Sequence, residues 1–174
     1  DLSQAEAFWR QTLQGVTAPT SLTNLEVQSL SAQPEKYFEQ SLKLSPATTT
    51  TLKSWAKQHQ LTLNTIVQGA WALLLSRYSG EDEVVYGITV SGRPVDLPAA
   101  ESMVGIFINT LPLRVKLDAE MLLLPWIEQL QRQLIEIRQY EYSPLVEIQG
   151  WSEIPRGLPL FESIVVFENY PVDR

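Results

Sequence analysis

The chain has 174 residues, enough to bury one sizeable core, and its composition is globular, with 44% hydrophobic and 19% charged residues. Thirteen Lys and Arg against twenty Asp and Glu give a formal charge of −7, so the sequence predicts no binding to nucleic acid, whose phosphates would be repelled. The lack of cysteine excludes disulfides, thiolate metal sites and a cysteine nucleophile.

The sequence also predicts that the protein neither spans nor enters a membrane. Its longest apolar run, around residues 66–75, falls short of the roughly 20 residues that a spanning helix needs. The first stretch, DLSQAEAFWRQ, is acidic and amphipathic rather than a signal peptide. We therefore expect a soluble protein, and the missing cysteines favour a reducing, cytoplasmic location.

The first half of the chain predicts three helices and one strand. Apolar spacing over residues 3–14 predicts a helix that ends at Gly15. The alternation in KYFEQSLKL, residues 36–44, predicts a half-buried strand. A helix follows from Ser45-Pro46 to about Gln60, and another runs from near Thr62 to Gly80; the second is apolar around much of its circumference, which predicts burial on more than one side.

The second half predicts three further strands and two helices. EVVYGITV, residues 83–90, and VGIFINTLPLRV, residues 104–115, have the β-branched density of central strands. Helical spacing from Leu123 to Ile137, a shorter helix after Pro144 and a last strand over residues 160–168 complete the chain. The fold class is therefore α/β, a layered sheet of about four strands with flanking helices. So thin a sheet suggests that this piece packs against something else.

The residues supply no complete catalytic apparatus. The single histidine, His59, lies near the polar end of a helix and is interpreted as a solvent-exposed helix residue. One histidine without cysteine argues against a metal site, and no glycine-rich phosphate loop is present in the sequence.

Two short motifs are candidates for a site. Ser91, Gly92 and Arg93 follow the end of a central strand, where ligand-facing loops of α/β domains lie, and Arg93 offers a planar fork of donors. The alternative is a strand-terminating turn with an arginine ion pair. Asn109 and Thr110 place polar groups inside an apolar strand, either because Asn109 ties down a neighbouring loop or because the strand lines a cavity.

Several long motifs resemble the condensation domain of nonribosomal peptide synthetases. They are LTLNTIVQGAWALLLSRYSGEDEVVYGITVSGRP, MVGIFINTLPLRV, LVEIQGW and LFESIVVFENYP, in family order. The resemblance implies one lobe of the two-lobed fold of chloramphenicol acetyltransferase, with residues 1–174 as the C-terminal lobe. The family's His-His-x-x-x-Asp-Gly signature belongs to the other lobe, so the resemblance implies no catalytic residue in this chain.

The resemblance also implies a reaction and its partners. In the family, an acyl group held as a thioester on one carrier protein is attacked by an amine on another, and an amide forms. The carriers' phosphopantetheine arms hold the substrates, so no cofactor binds this chain directly. The implied partners are the N-terminal lobe, the carrier proteins and the adenylation domain.

The same resemblance gives the two candidate motifs a place. GIFINT is similar to the family motif Gly-x-Phe-Val-Asn-Thr, which implies that Asn109, Thr110, Ser91, Gly92 and Arg93 lie at the substrate tunnel or the lobe interface. We expect Asn109→Ala to slow the complete domain without unfolding it, whereas a collapse of its melting temperature would indicate the structural role. YEYSPL, residues 140–145, departs from its family motif, so no role is assigned to Tyr140, Glu141 or Tyr142.

Two other functions compete with condensation. One is a binding module that docks carrier or adenylation domains without chemistry. The other is a related acyltransferase with a free alcohol or amine acceptor.

Overall fold

The structure is a computed structural model and describes residues 2–22, 37–92 and 103–168. These residues form five helices and three strands. In chain order they are α1 (Leu2–Thr12), α2 (Pro46–Gln58), α3 (Leu63–Ser79), β1 (Glu83–Val90), β2 (Asn109–Lys116), α4 (Leu123–Arg138), α5 (Leu145–Trp151) and β3 (Ile164–Val165).

The helix predictions are confirmed, and local capping explains where α2 begins and where α3 begins and ends. Ser45 precedes the N-terminal proline of α2, and its hydroxyl accepts the backbone N–H of Thr48. Thr62 caps α3 in the same way. Gly80 ends α3 in the left-handed conformation, with φ of 77°.

β1 is the centre of the described sheet, whose order is β2-β1-β3. It pairs antiparallel with β2 from Glu83 opposite Lys116 to Val90 opposite Asn109. It pairs parallel with β3 through Gly87 and Ile88. This confirms the prediction of a central strand over residues 83–90.

The other strand predictions need correction. Residues 37–44 are exposed and form no strand, so three of the four predicted strands remain in the described part of the chain. β2 begins only at Asn109 and lies at an edge of the described sheet, whereas the sequence predicted a central strand from residue 104. β3 has two residues instead of nine, because an apolar run predicts an extended chain but not the partner that makes it a strand.

The sheet is covered on both faces. Tyr86 points toward α3, and its hydroxyl donates to the backbone carbonyl of Gln68 at 2.9 Å. The neighbouring Gly87 faces the other way, where a Cβ would lie 2.6 Å from the ring of Phe161. The core between the layers contains Trp9, Leu13, Leu75, Val84, Leu111, Leu113, Leu130, Ile137 and Ile148.

α3 buries one face only, so the prediction of burial on more than one side is wrong for the described residues. Apart from Leu75, its buried stripe is built of small or polar residues, among them Gly69, where a Cβ would lie 3.2 Å from the ring of Trp126 in α4. Larger apolar residues lie on the opposite face and are more than a third exposed: Val67, Leu73, Leu74 and Tyr78. Close helix packing needs the small residues inside, which leaves the large ones outside.

Candidate functional site

Asn109 uses its side chain to hold the loop that follows α4. Its Nδ2 donates to the carbonyl oxygens of Glu141 at 2.9 Å and Ser143 at 2.8 Å. Its Oδ1 accepts the backbone N–H of Thr110 at 2.9 Å. Both amide hydrogens are therefore used within the chain. This geometry favours the structural alternative for the amide nitrogen, while a role at the tunnel or lobe interface stays a prediction.

Ser91 and Gly92 form the turn at the end of β1. Gly92 has φ of 62°, and a Cβ there would lie 1.8 Å from the carbonyl oxygen of Phe107. Only glycine fits such a close approach in the left-handed region. Ser91 is exposed, and Arg93, the third predicted residue of this motif, lies outside the described residues.

The two predicted motifs meet at one end of the β1–β2 pair. Their meeting follows from the antiparallel register, which sets Val90 opposite Asn109 and Thr89 opposite Thr110. The turn at Ser91 and Gly92 therefore lies beside the start of β2. The structure brings four of the five predicted residues together.

Glu141 contacts Asn109 and was missed from the sequence. Its carbonyl accepts from the side chain of Asn109. Burial is the main cause that raises the pKa of its carboxyl group, and the nearby charge of Arg138 opposes that rise. No spacing rule links residue 141 to residue 109, and the departure of YEYSPL from its family motif removed the remaining signal.

Pro112 is tolerated because β2 lies at an edge of the described sheet. Opposite it, Gly87 turns its N–H away from β2 and donates to Ser163 at 2.8 Å. In an antiparallel ladder, two opposite residues point their backbone N–H and C=O groups either toward each other or away from each other. Because Gly87 points its N–H away from β2, the nitrogen of Pro112 points away from β1, and no ladder bond is lost.

The chain matches the family model for the condensation domain over residues 1–174. It belongs to the condensation domain family. A component of the linear gramicidin synthase of Brevibacillus parabrevis is 56% identical to it over 175 residues, which span 100% of this chain and 3% of that protein. The chondramide synthase of Chondromyces crocatus is 46% identical over 173 residues, which span 99% of this chain and 4% of that protein. The chain therefore covers a small part of these relatives.

Solved structures give the same fold. The X-domain from teicoplanin biosynthesis matches with a TM-score of 0.77 and 26% identity, over 93% of this chain and 36% of that one. A four-domain nonribosomal peptide synthetase matches with a TM-score of 0.83 and 21% identity, over 99% and 13% of the two chains, and shows the fold alone. The predicted fold class, an α/β lobe of the chloramphenicol acetyltransferase type, is confirmed.

The condensation-domain motif around Asn109 begins in an exposed segment. Residues 103–108 precede β2 without entering the ladder, and Ile106 is 96% exposed. Val104 and Ile108 are exposed as well, which places a row of apolar side chains beside the turn at Ser91 and Gly92.

Metal and membrane features are lacking in the described part of the chain. Over residues 2–22, 37–92 and 103–168, no group of histidine and carboxylate side chains is arranged to hold a metal ion. In the same ranges, no helix is both long and apolar enough to cross a bilayer.

Proposed function

We propose that this chain is the C-terminal lobe of a condensation domain that forms amide bonds in nonribosomal peptide synthesis. The observation that carries the proposal is the family match over residues 1–174. Its partial coverage of the X-domain structure, 36%, is consistent with one lobe of a larger domain.

The reaction joins two tethered substrates. The amine nitrogen of an aminoacyl acceptor attacks the carbonyl carbon of an acyl or peptidyl thioester, the C–N bond forms and the C–S bond breaks. The amine proton leaves, and the phosphopantetheine thiol of the donor carrier is released. Holding both reactants in one tunnel supplies much of the rate through proximity.

This lobe would supply a wall of the tunnel rather than the reactive imidazole. Its only histidine, His59, lies at the C-terminal end of α2 with its ring 4.9 Å from that of Trp55. The turn at Ser91 and Gly92, the start of β2 at Asn109 and Thr110, and residues 104–108 would line the tunnel or the lobe interface. Arg93 belongs to the same proposed set.

The partners follow from this role. The N-terminal lobe would provide the paired histidines, and two carrier proteins would bring the substrates on phosphopantetheine. An adenylation domain would load the acceptor carrier, and the assembly would work in the cytoplasm.

The direct test compares the chain alone with the complete domain. Each is mixed with two loaded carriers, and the amide product is measured by mass spectrometry. We expect product from the complete domain and none from the chain alone. Turnover by the chain alone, or a complete domain that transfers only to a free alcohol or amine, would contradict the proposal.

A docking module is the second candidate, and the observation that favours it is the lack of a histidine pair in this chain. It predicts that the complete domain binds carriers without forming product. It also predicts that Asn109→Ala leaves any measured rate unchanged. Carrier binding measured by calorimetry beside the product assay separates the two candidates.

A further inference from the structure

The outward side of α3 is apolar although it is exposed. Val67, Leu73, Leu74 and Tyr78 are 37%, 40%, 46% and 50% exposed. At about 100° per residue they fall within an arc of about 140° around the helix, and the buried residues of α3 lie on the opposite side. A group of large apolar side chains exposed on one side of a helix marks a contact with another polypeptide. We call this arc, together with Arg77, the α3 face.

Arg77 is the one cation of the α3 face. On the helix circumference it falls between Leu73 and Leu74, and it is exposed. None of the ion pairs between described residues includes it. A guanidinium binds a carboxylate through two parallel hydrogen bonds, and surrounding apolar groups keep water away from such a pair. The α3 face therefore fits a partner that presents apolar side chains around a carboxylate.

The charge of the neighbouring chain points to the same kind of partner. Residues 40–80 carry Lys43, Lys53, Lys57 and Arg77 and no Asp or Glu, so all twenty acidic residues lie elsewhere in the sequence. Lys53 and Lys57 are exposed on α2, which contacts α3. A positive region on a chain of net charge −7 attracts an acidic surface and disfavours a basic one.

We propose that the α3 face docks an acidic, amphipathic segment of the same synthetase, from outside residues 1–174. The inference rests on the proposed function, which makes this chain one lobe of a longer protein, and it deepens that function by assigning one contact between the two. The chain spans 3% of its gramicidin synthase relative and 36% of the X-domain structure, so those proteins have further chain that could supply such a segment.

A second copy of the chain fits the α3 face less well. Its acidic residues lie outside residues 40–80, so they would reach the face only in a head-to-tail contact. Such a contact builds rings or open filaments rather than a closed dimer.

The test measures how fast a cysteine in the α3 face reacts with iodoacetamide in the synthetase module that contains this chain. Leu74→Cys introduces the cysteine, since the chain has none of its own. Labelling is read by mass spectrometry on the peptide that contains residue 74. The same peptide labelled in urea gives the rate for an uncovered cysteine. Tyr78→Cys repeats the measurement at a second position of the face.

We expect Leu74→Cys to react roughly tenfold or more slowly in the folded module than in urea, because labelling then requires local opening. Adding Arg77→Glu should speed labelling several-fold, because like charges repel across an interface. Arg77→Lys should keep most of the protection. Arg156→Glu makes the same charge change at another exposed position and is the matched control, with no expected effect on labelling.

Three outcomes would overturn the inference. Labelling as fast in the folded module as in urea would show that the face is uncovered. Protection that Arg77→Glu leaves unchanged would show that the partner is not acidic. Protection that is lost on dilution, or that requires added phosphatidylglycerol vesicles, would assign the face to a second copy or to a membrane.

The outcome can be read whatever happens to the individual variant or to catalysis. If Leu74→Cys does not fold, Tyr78→Cys decides by the same comparisons. Labelling is measured without turnover, so a module that makes no amide would refute the proposed function and leave this result standing.

Discussion

The two ends of β2 are finished in different ways. At the C-terminal end, Arg114 bonds Glu83 through two nitrogens and donates to the carbonyls of Thr12 and Gln14. At the N-terminal end, the chain before Asn109 leaves the ladder and exposes Val104, Ile106 and Ile108.

The backbone groups of β2 that point away from β1 show the same contrast between the two ends. At the C-terminal end, Gln133 donates to the carbonyl of Arg114 at 2.6 Å, and the indole of Trp126 donates to that of Lys116 at 2.9 Å. Side chains of α4 thus cover an edge that would otherwise be free to pair. At the other end, Asn109 closes the edge with its own side chain, and the residues before it stay outside the ladder. The C-terminal end of β2 is therefore secured by side chains of α4, whereas the segment before its N-terminal end keeps apolar side chains exposed, as the proposed lobe interface requires.

Breaking the secured end should have the largest effect. Arg114→Ala removes the ion pair with Glu83 and the donors to the carbonyls of Thr12, the last residue of α1, and of Gln14. Because the side chain of Arg114 is only 16% exposed, we expect a loss of about 3 kcal/mol in the free energy of unfolding, measured with urea. Arg132→Ala is the matched control, since Arg132 on α4 is exposed and lines the same surface cleft as Arg114 and Glu83. It should change stability by less than about 0.5 kcal/mol. Equal effects of the two changes would contradict the contrast.

The boundary between the two ends lies at Asn109. Removal of its side chain should have the next largest effect on stability. Asn109→Ala leaves the carbonyls of Glu141 and Ser143 without their donor, so we expect a loss of about 1–3 kcal/mol in the free energy of unfolding. Asn109→Asp keeps the acceptor for Thr110 but replaces the donors with a carboxylate that faces two carbonyl oxygens, so it should cost at least as much as Asn109→Ala. Because of these bonds, we no longer expect Asn109→Ala to leave the fold intact, as the sequence alone predicted. A lower rate of the complete domain is therefore informative about Asn109 only after correction for lost stability. An unchanged melting temperature would show that these bonds contribute little.

Helices were predictable from sequence because their signals are local. Ser45, Thr62 and Gly80 mark helix ends through contacts within four residues of themselves. The strands were predicted less well. KYFEQSLKL alternates and residues 104–108 are apolar and β-branched, both typical of strands, but a strand also needs a partner, and partners are set by tertiary structure. For the same reason, the sequence predicted that β2 starts at residue 104, whereas it starts at Asn109.

The site was predictable in part for a related reason. Asn109 was noticed because an amide inside an apolar run must find partners, and the loop-tying alternative described the bonds that it makes. Glu141 was not noticed, because a glutamate between two tyrosines carries no such signal. Its contact with Asn109 exists only once the loop after α4 has packed against β2.

Acid should weaken the secured end by a smaller amount. The pKa of Glu83 lies below its ordinary value of 4.5, first because Arg114 hydrogen-bonds its carboxylate. A depressed pKa contributes stability that is present above the unfolded value and is lost as the pH falls through the folded one. The difference in unfolding free energy between the unchanged chain and Glu83→Gln should therefore shrink as the pH falls below 4.5. A difference that stays constant with pH would assign the effect of Glu83 to packing rather than charge.

The smallest effect on the chain itself should come from the open end. Ile106→Ser changes a side chain that is 96% exposed, so stability of the chain should change by less than about 0.5 kcal/mol. In the complete domain, the proposed N-terminal lobe would cover this segment. The same change should then lower the free energy of unfolding by about 1 kcal/mol or more, because apolar burial is lost. Val146→Ser on α5, also exposed, is the control and should have little effect in either setting. If Ile106→Ser is equally harmless in both, residues 104–108 are not covered by the other lobe, and the two ends of β2 differ for a reason other than a partner.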